Sequence, residues 1–233
     1  MQVQAILFDY GGTLDGAASH WFDRMLELYR ADGLDLSVER VKAAFYRADD
    51  AAYADPRAAD MSLAELMDFH VGVQLRELAI DDAARRRRLA AAFVSGSERA
   101  LSASRAVLAR LADRYRLGVV SNFYGNVRRI LADAGIAPLL TAVSDSTRVG
   151  CMKPDRRIFE HALAALGTAP ATTLHVGDSY ERDVCAAHAL GLRTAWLVPA
   201  PRRPAPAGCV ADVVLSSLDE LERALPMDGA AGR

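Results

Sequence analysis

The sequence predicts an α/β protein: a doubly wound parallel sheet with an all-helical domain inserted after its first strand. Three observations lead there. Short apolar runs that stop at polar or glycine residues, such as AILF at 5–8, LGVV at 117–120 and TLHV at 173–176, read as strands buried on both faces. From Ser102 onward such runs alternate with helix-length segments over short connections, a pattern that gives parallel strands with right-handed crossovers. Between Asp15 and residue 98, by contrast, the periodicity is helical. The expected division is an α/β core of residues 1–15 and 99–233 and a helical domain of residues 16–98.

Each element carries its own signal. Val3, Ala5, Ile6, Leu7 and Phe8 form the first strand, closed by Gly11-Gly12. Ser19 is placed to N-cap a helix with Trp21, Phe22, Met25, Leu26 and Tyr29 at helical spacing, ending near Gly33. Ser37 opens a second helix with Val38, Val41, Ala44 and Phe45. Ser62 and Glu65 make a capping box before Leu63, Leu66, Met67 and Val71. A fourth helix spans 81–93 and holds Arg85, Arg86, Arg87 and Arg88. Consecutive residues spread around a helix, so these four read as a solvated face rather than a phosphate or nucleic-acid clamp. Helix 103–115, strand 117–121, helix 126–134, strand 141–144, helix 155–166, strand 173–176, helix 181–190 and strand 194–198 follow. Gly135, Gly167 and Gly191 stop the three later helices. A loop with Pro199, Pro201, Pro204 and Pro206 precedes a last strand at 213–215 and a helix at 218–225; the tail after Pro226 is small and Gly-rich.

Composition narrows the function classes. With 233 residues, 52% hydrophobic and 25% charged, the chain can bury a sizeable core. A net charge of −2 supplies no basic field for nucleic acid or an anionic membrane. The N-terminus lacks a basic region, its apolar run is too short for a leader, and no window approaches a membrane span. Cys151, Cys185 and Cys209 are odd in number and share no metal-ligand spacing, so a reduced cytoplasmic protein is expected. Of 28 basic residues other than histidine, only Lys42 and Lys153 are lysines. A Lys retained before Pro154 in an Arg-using chain points to a site that wants a compact ammonium.

The candidate chemistry follows from topology. Asp9, Ser121 and Asp178 fall at the carboxyl ends of expected parallel strands, and the sheet brings them to one rim. Gly11 and Gly12 let the backbone turn sharply and approach an anion. A carboxylate at Asp9 suits a nucleophile, a metal ligand or both, although a turn-capping aspartate fits the same position. Two carboxylates at one rim repel unless neutralised, and Mg²⁺ with its hard oxygen ligands is the usual answer. Asp178-Ser179 also suits a helix N-cap, and Ser121-Asn122 also suits a turn. His175 and His188 read as structural, whereas His20, just beyond the first loop, is a candidate for substrate contact.

Taken together, FDYGGT, VVSN, MKPDRRIF and VGDSYERD resemble, in type, order and spacing, the four motifs of the haloacid dehalogenase (HAD) superfamily, across most of the chain. The resemblance implies Asp9 as nucleophile and Mg²⁺ held by Asp9, Asp178 and the main-chain carbonyl of Gly11, with Asp183 as an indirect ligand or supporting group. It implies Ser121 and Asn122 as donors to a phosphoryl group, Lys153 as the neutralising cation, and the helical domain as a cap. The expected substrate is a small phosphorylated molecule. One departure stands out: most phosphatases of that family carry a second Asp two residues after the first, and here Gly11 occupies that place. A 2-haloacid dehalogenase also lacks that Asp, but the resemblance would then call for an aromatic residue at Gly11 and no metal. The remaining alternative is a phosphate- or partner-binding protein that has lost turnover.

Overall fold

The structure, a computed structural model, describes residues 3–199 and 207–225. Its centre is strand β1 (Ala5–Phe8), whose four side chains are all buried. That strand pairs with β2 (Arg116–Ser121) on one side and β4 (Thr173–Gly177) on the other, both parallel. Outside them lie β3 (Ala142–Asp145), β5 (Arg193–Leu197) and β6 (Val213–Leu215), giving one six-stranded parallel sheet in the order β3-β2-β1-β4-β5-β6. Cover on both faces explains why the central strands are unbroken apolar runs rather than alternating ones. On one face Ala5, Leu7 and Val120 pack with Ile158, Phe159 and Leu163 of helix α7 (Arg156–Leu166). On the other, Ile6, Phe8 and Val119 join the large core that also holds the inserted helices.

The register positions the site. Phe8 is aligned with Val119 and with Val176, so the residues that follow in each strand emerge at one edge of the sheet. Between β4 and β5 the chain does not form one regular helix over 181–190. A wide turn at Tyr180–Cys185 runs into the short helix α8 (Ala186–Ala189), and the carboxylate of Asp183 inside that turn accepts from the Ser179 amide at 3.0 Å. Helices α5 (Val127–Asp133), α6 (Ser146–Val149) and α9 (Leu221–Ala224) complete the sheet's layers.

Between β1 and β2 lie α1 (Trp21–Ala31), α2 (Val38–Ala54), α3 (Leu63–Glu77) and α4 (Ala83–Ala112). Ser37 and the Ser62–Glu65 capping box act as expected, but α1 is capped by His20, whose Nδ1 accepts from Phe22 N at 3.1 Å, rather than by Ser19. The helices expected at 81–93 and 103–115 are a single 30-residue helix, so the junction placed between residues 98 and 99 lies inside α4. Small residues at that junction serve packing: Ser97 is fully buried, and a Cβ on Gly96 would lie 3.4 Å from the Arg24 guanidinium. The arginine run divides among partners, Arg85 and Arg88 meeting Asp32 at 2.6 and 2.8 Å and Arg86 meeting Asp68 at 3.0 Å. Pro201, Pro204, Pro206 and the tail after Pro226 lie outside the described residues. Among the described residues, no helix is long and apolar enough to cross a membrane.

Candidate active site

The rim gathers its charges from two strand ends, the wide turn beyond one of them and a loop. Asp9 follows β1, Asp178 follows β4, Asp183 sits in the wide turn beyond it, and Lys153 lies between α6 and α7. The Lys153 ammonium donates to Asp9 Oδ1 at 2.7 Å and to Asp183 Oδ1 at 2.5 Å, and all three residues are buried. Asp183 also receives His175 Nε2 at 3.1 Å. His175, on β4, is thus structural in position but holds the rim carboxylate from behind. Thr13 Oγ1 donates to Asp178 Oδ1 at 3.1 Å, and Trp196 Nε1 holds the Asp178 carbonyl at 3.0 Å.

Burial and crowding set the protonation. Burial raises Asp9, with Lys153 opposing and Asp183 adding repulsion. Asp178 is pushed well above the usual carboxylate range by burial, then by the charges of Asp9 and Asp183. For Asp183, burial would also raise the pKa, but Lys153 and the His175 hydrogen bond hold it below the usual range. Lys153 is driven the other way: burial disfavours its charge, and Asp183 and Asp9 outweigh that. Three carboxylates crowd around one ammonium that pairs with two of them, which leaves the rim short of positive charge.

That shortage is where a metal fits. Asp9, Asp178 and Asp183 each present an oxygen, all within 4.8 Å of one another, a hard-oxygen donor set suited to Mg²⁺. The loop between β1 and α1 is shaped around the same point. Gly12 has φ +87°, and a Cβ there would sit 2.5 Å from Asp178 Oδ2; a Cβ on Gly177 would overlap the Asp183 carboxyl group. Only glycine lets these backbones approach the two carboxylates so closely.

The other expected residues take varied places. Ser121 is buried at the end of β2 and lines the same cavity of about 420 Å³ as Asp9 and Lys153. Asn122 lines it too, but its carboxamide is committed: Nδ2 donates to the Lys153 carbonyl at 2.9 Å and Oδ1 accepts from the Lys153 amide at 2.6 Å. Asn122 therefore positions the lysine. His20 reaches the cavity edge while its Nδ1 caps α1. Gly11 has ordinary extended dihedrals, and an added Cβ would find its nearest neighbour, Trp21 Nε1, at 3.8 Å. A side chain is absent there without steric compulsion.

Two further carboxylates shape the site. Asp15, buried, accepts from Gly12 N at 2.9 Å, Trp21 Nε1 at 2.7 Å, Ser97 Oγ at 3.2 Å and Arg24 Nη1 at 3.3 Å. It ties the β1–α1 loop to α1 and α4, and both of its oxygens are engaged there. The second is Asp49 on α2, which faces the cavity and is held by His70 and Tyr124. Its signal in the sequence was the polar pair His70 and Gln74 on the buried stripe of α3 between Met67 and Leu75.

A bovine (Bos taurus) haloacid dehalogenase-like hydrolase domain-containing protein 3 is 39% identical over 124 residues, 51% of this chain and 48% of that protein. A phosphoserine phosphatase of Thermus thermophilus is 41% identical over 70 residues, 30% of this chain and 28% of that protein. The matched stretches thus span about half or less of these relatives' lengths. Among solved structures, a dehalogenase with an intermediate complex superposes with a TM-score of 0.66 at 19% identity, over 96% of this chain and 97% of that one, a likeness of fold. The family model described as haloacid dehalogenase-like hydrolase matches residues 3–191, and the chain belongs to that family of hydrolases.

Proposed function

We propose that the protein is a Mg²⁺-dependent phosphatase acting on a small phosphorylated molecule through a phosphoryl group carried on Asp9. The observation that carries this is Lys153, buried and bonded to both Asp9 and Asp183 beside the three-carboxylate cluster. An ammonium and a carboxylate set at one rim suit a phosphoryl group with its dispersed negative charge. The phosphatase relative supports the same chemistry.

Lys153 holds Oδ1 of Asp9, which leaves Oδ2 to attack phosphorus in line as the ester P–O bond breaks. Water then attacks the phosphoryl group on Asp9, regenerating the carboxylate and releasing inorganic phosphate. Asp9, Asp178, Asp183 and the Gly11 carbonyl would hold Mg²⁺, which when bound supplies positive charge to the phosphoryl oxygens. Ser121 orients the phosphoryl group, Asn122 fixes Lys153, and the helices of residues 16–98 form a cap that limits water. With Gly11 offering no side chain, the leaving group departs as the oxyanion and takes its proton from solvent water. Good leaving groups, such as aryl phosphates, are therefore expected to react far faster than simple alkyl phosphates.

The dehalogenase reading shares the fold and the missing second aspartate. It is disfavoured by the carboxylate cluster and by Asp49 and Asp50, which face the cavity and would repel a haloacid's carboxylate. Phosphate and halide release, measured with and without Mg²⁺ on an aryl phosphate, an alkyl phosphate and a 2-haloacid, separate the two. Mg²⁺-dependent phosphate release, fastest from the aryl ester, is the expected result. Metal-independent halide release with no phosphate release would replace it with a dehalogenase.

A further inference from the structure

The cap side of the cavity is built around one carboxylate. Tyr29 of α1 donates its hydroxyl to Gln74 Oε1 at 2.9 Å, which turns the Gln74 amide nitrogen toward His70 Nδ1 at 2.7 Å. With Nδ1 accepting, His70 carries its proton on Nε2 and donates it to Asp49 Oδ1 at 3.0 Å. The Tyr124 hydroxyl, from the loop after β2, donates to the same oxygen. His70 and Gln74 are fully buried and Tyr29 nearly so, while the Asp49 side chain keeps 21% exposure toward the cavity. Every hydrogen bond in this chain therefore points toward Asp49. Among the described residues, nothing donates to its Oδ2.

A buried relay across three helices that ends on a single acceptor oxygen fixes that carboxylate in place and leaves its second oxygen for a ligand. The surroundings indicate which ligand. The rings of Trp21, Phe45, Tyr46, Tyr53 and Phe123 line the cavity, and the cap adds the carboxylate of Asp50. The cavity's lysine and arginine, Lys153 and Arg182, come instead from core segments. Aromatic faces and carboxylates together favour a cation with N–H donors, by cation–π attraction and charge-assisted hydrogen bonding.

We infer that Asp49 recognises a protonated amine on the leaving group, so that the substrates are phosphate esters of amino alcohols or similar amines. This rests on the phosphatase reading for the phosphoryl end. It also fits Gly11: a nearby ammonium stabilises the departing alkoxide, so an amine-bearing ester depends less on an acid from the protein.

The test uses binding, so that leaving-group chemistry does not enter. Dissociation constants of 2-aminoethylphosphonate and propylphosphonate, which differ at the chain end by ammonium against methyl, are measured by calorimetry with Mg²⁺ for the full chain and for Asp49→Asn. Asparagine keeps an oxygen for His70 and Tyr124 and removes only the charge; an unchanged melting temperature checks that the cap is intact. The wild type is expected to bind the aminophosphonate about 10–100-fold more tightly, and Asp49→Asn to lose that preference. Equal binding of the two by the wild type, tighter binding of the propyl compound, no binding of either, or a preference that survives Asp49→Asn would each overturn the assignment. Hydrolysis of an aryl phosphate, assayed on the same preparation, shows separately whether the phosphatase reading stands.

Discussion

At the sheet rim one ammonium is shared by two of three clustered carboxylates, whereas on the cap face one carboxylate oxygen collects a tyrosine hydroxyl and a histidine N–H. The rim is crowded with like charge, and Lys153 offsets only part of it. The cap carboxylate is held by neutral donors that fix its direction without cancelling its charge. On the proposed reading, one arrangement holds a phosphoryl group beside a cation, and the other presents negative charge to whatever is attached to it. The difference bears on the roles proposed for them: the carboxylates clustered around a cation suit a nucleophile or metal ligands, and the one fixed by a relay of donors suits recognition.

Removing the shared cation should have the largest effect. Lys153→Met leaves Asp9 and Asp183 buried without their shared ammonium and, on the proposed reading, removes the cation beside the transferring phosphoryl group. We expect phosphate release to fall by about 10²–10³-fold and stability to fall by about 3–5 kcal/mol, read by aryl phosphate assay and denaturant unfolding. Wild-type rates in this variant would mean that the rim does not depend on Lys153.

The boundary between the two regions is Gly11, whose missing side chain would face Trp21 of α1. Its φ of −71° accepts any residue, and a Cβ meets no close neighbour. Gly11→Asp should raise alkyl phosphate hydrolysis by about 10²-fold, the low end of what a positioned acid supplies, with less gain on aryl esters. No change on alkyl esters would mean that the carboxylate cannot reach the leaving oxygen or that another group already protonates it.

Asp178→Ala removes a metal-facing carboxylate without touching the Lys153 pairs. We expect Mg²⁺ affinity to weaken by at least about 10–100-fold, read both as a higher Mg²⁺ requirement and as loss of the wild type's Mg²⁺-induced rise in melting temperature. An unchanged rise would place the ion elsewhere.

How much of this was legible in the sequence differs between the same two regions. Most of the rim lies at ends of apolar strands, where a buried run, a turn and a polar residue are adjacent in the chain; Asp9, Ser121 and Asp178 were visible there, as was the parallel sheet, while Lys153 stood out as one of only two lysines. The cap relay joins Tyr29, Asp49, His70, Gln74 and Tyr124 from three helices and a loop, and only His70 and Gln74 are close enough in sequence to form a pattern. The continuity of α4 was hidden for a related reason. Gly96 and Ser97 lower helix propensity, and the packing of Arg24 and Asp15 against them, set by tertiary structure, decides that the helix runs through. Asn122 was visible as a donor, but its engagement with the Lys153 backbone depends on how two loops meet.

If Asp9 carries the phosphoryl group, that group can be trapped on it. The protein is mixed with an aryl phosphate and Mg²⁺, quenched in acid within a turnover, digested and analysed by mass spectrometry. With no acid–base side chain at Gly11 to speed the second step, the peptide containing Asp9 should gain the mass of one phosphoryl group, and the gain should be absent in Asp9→Asn, which should also release no phosphate. Continued turnover of the aryl phosphate by Asp9→Asn, or a phosphoryl group found on another residue, would contradict the account.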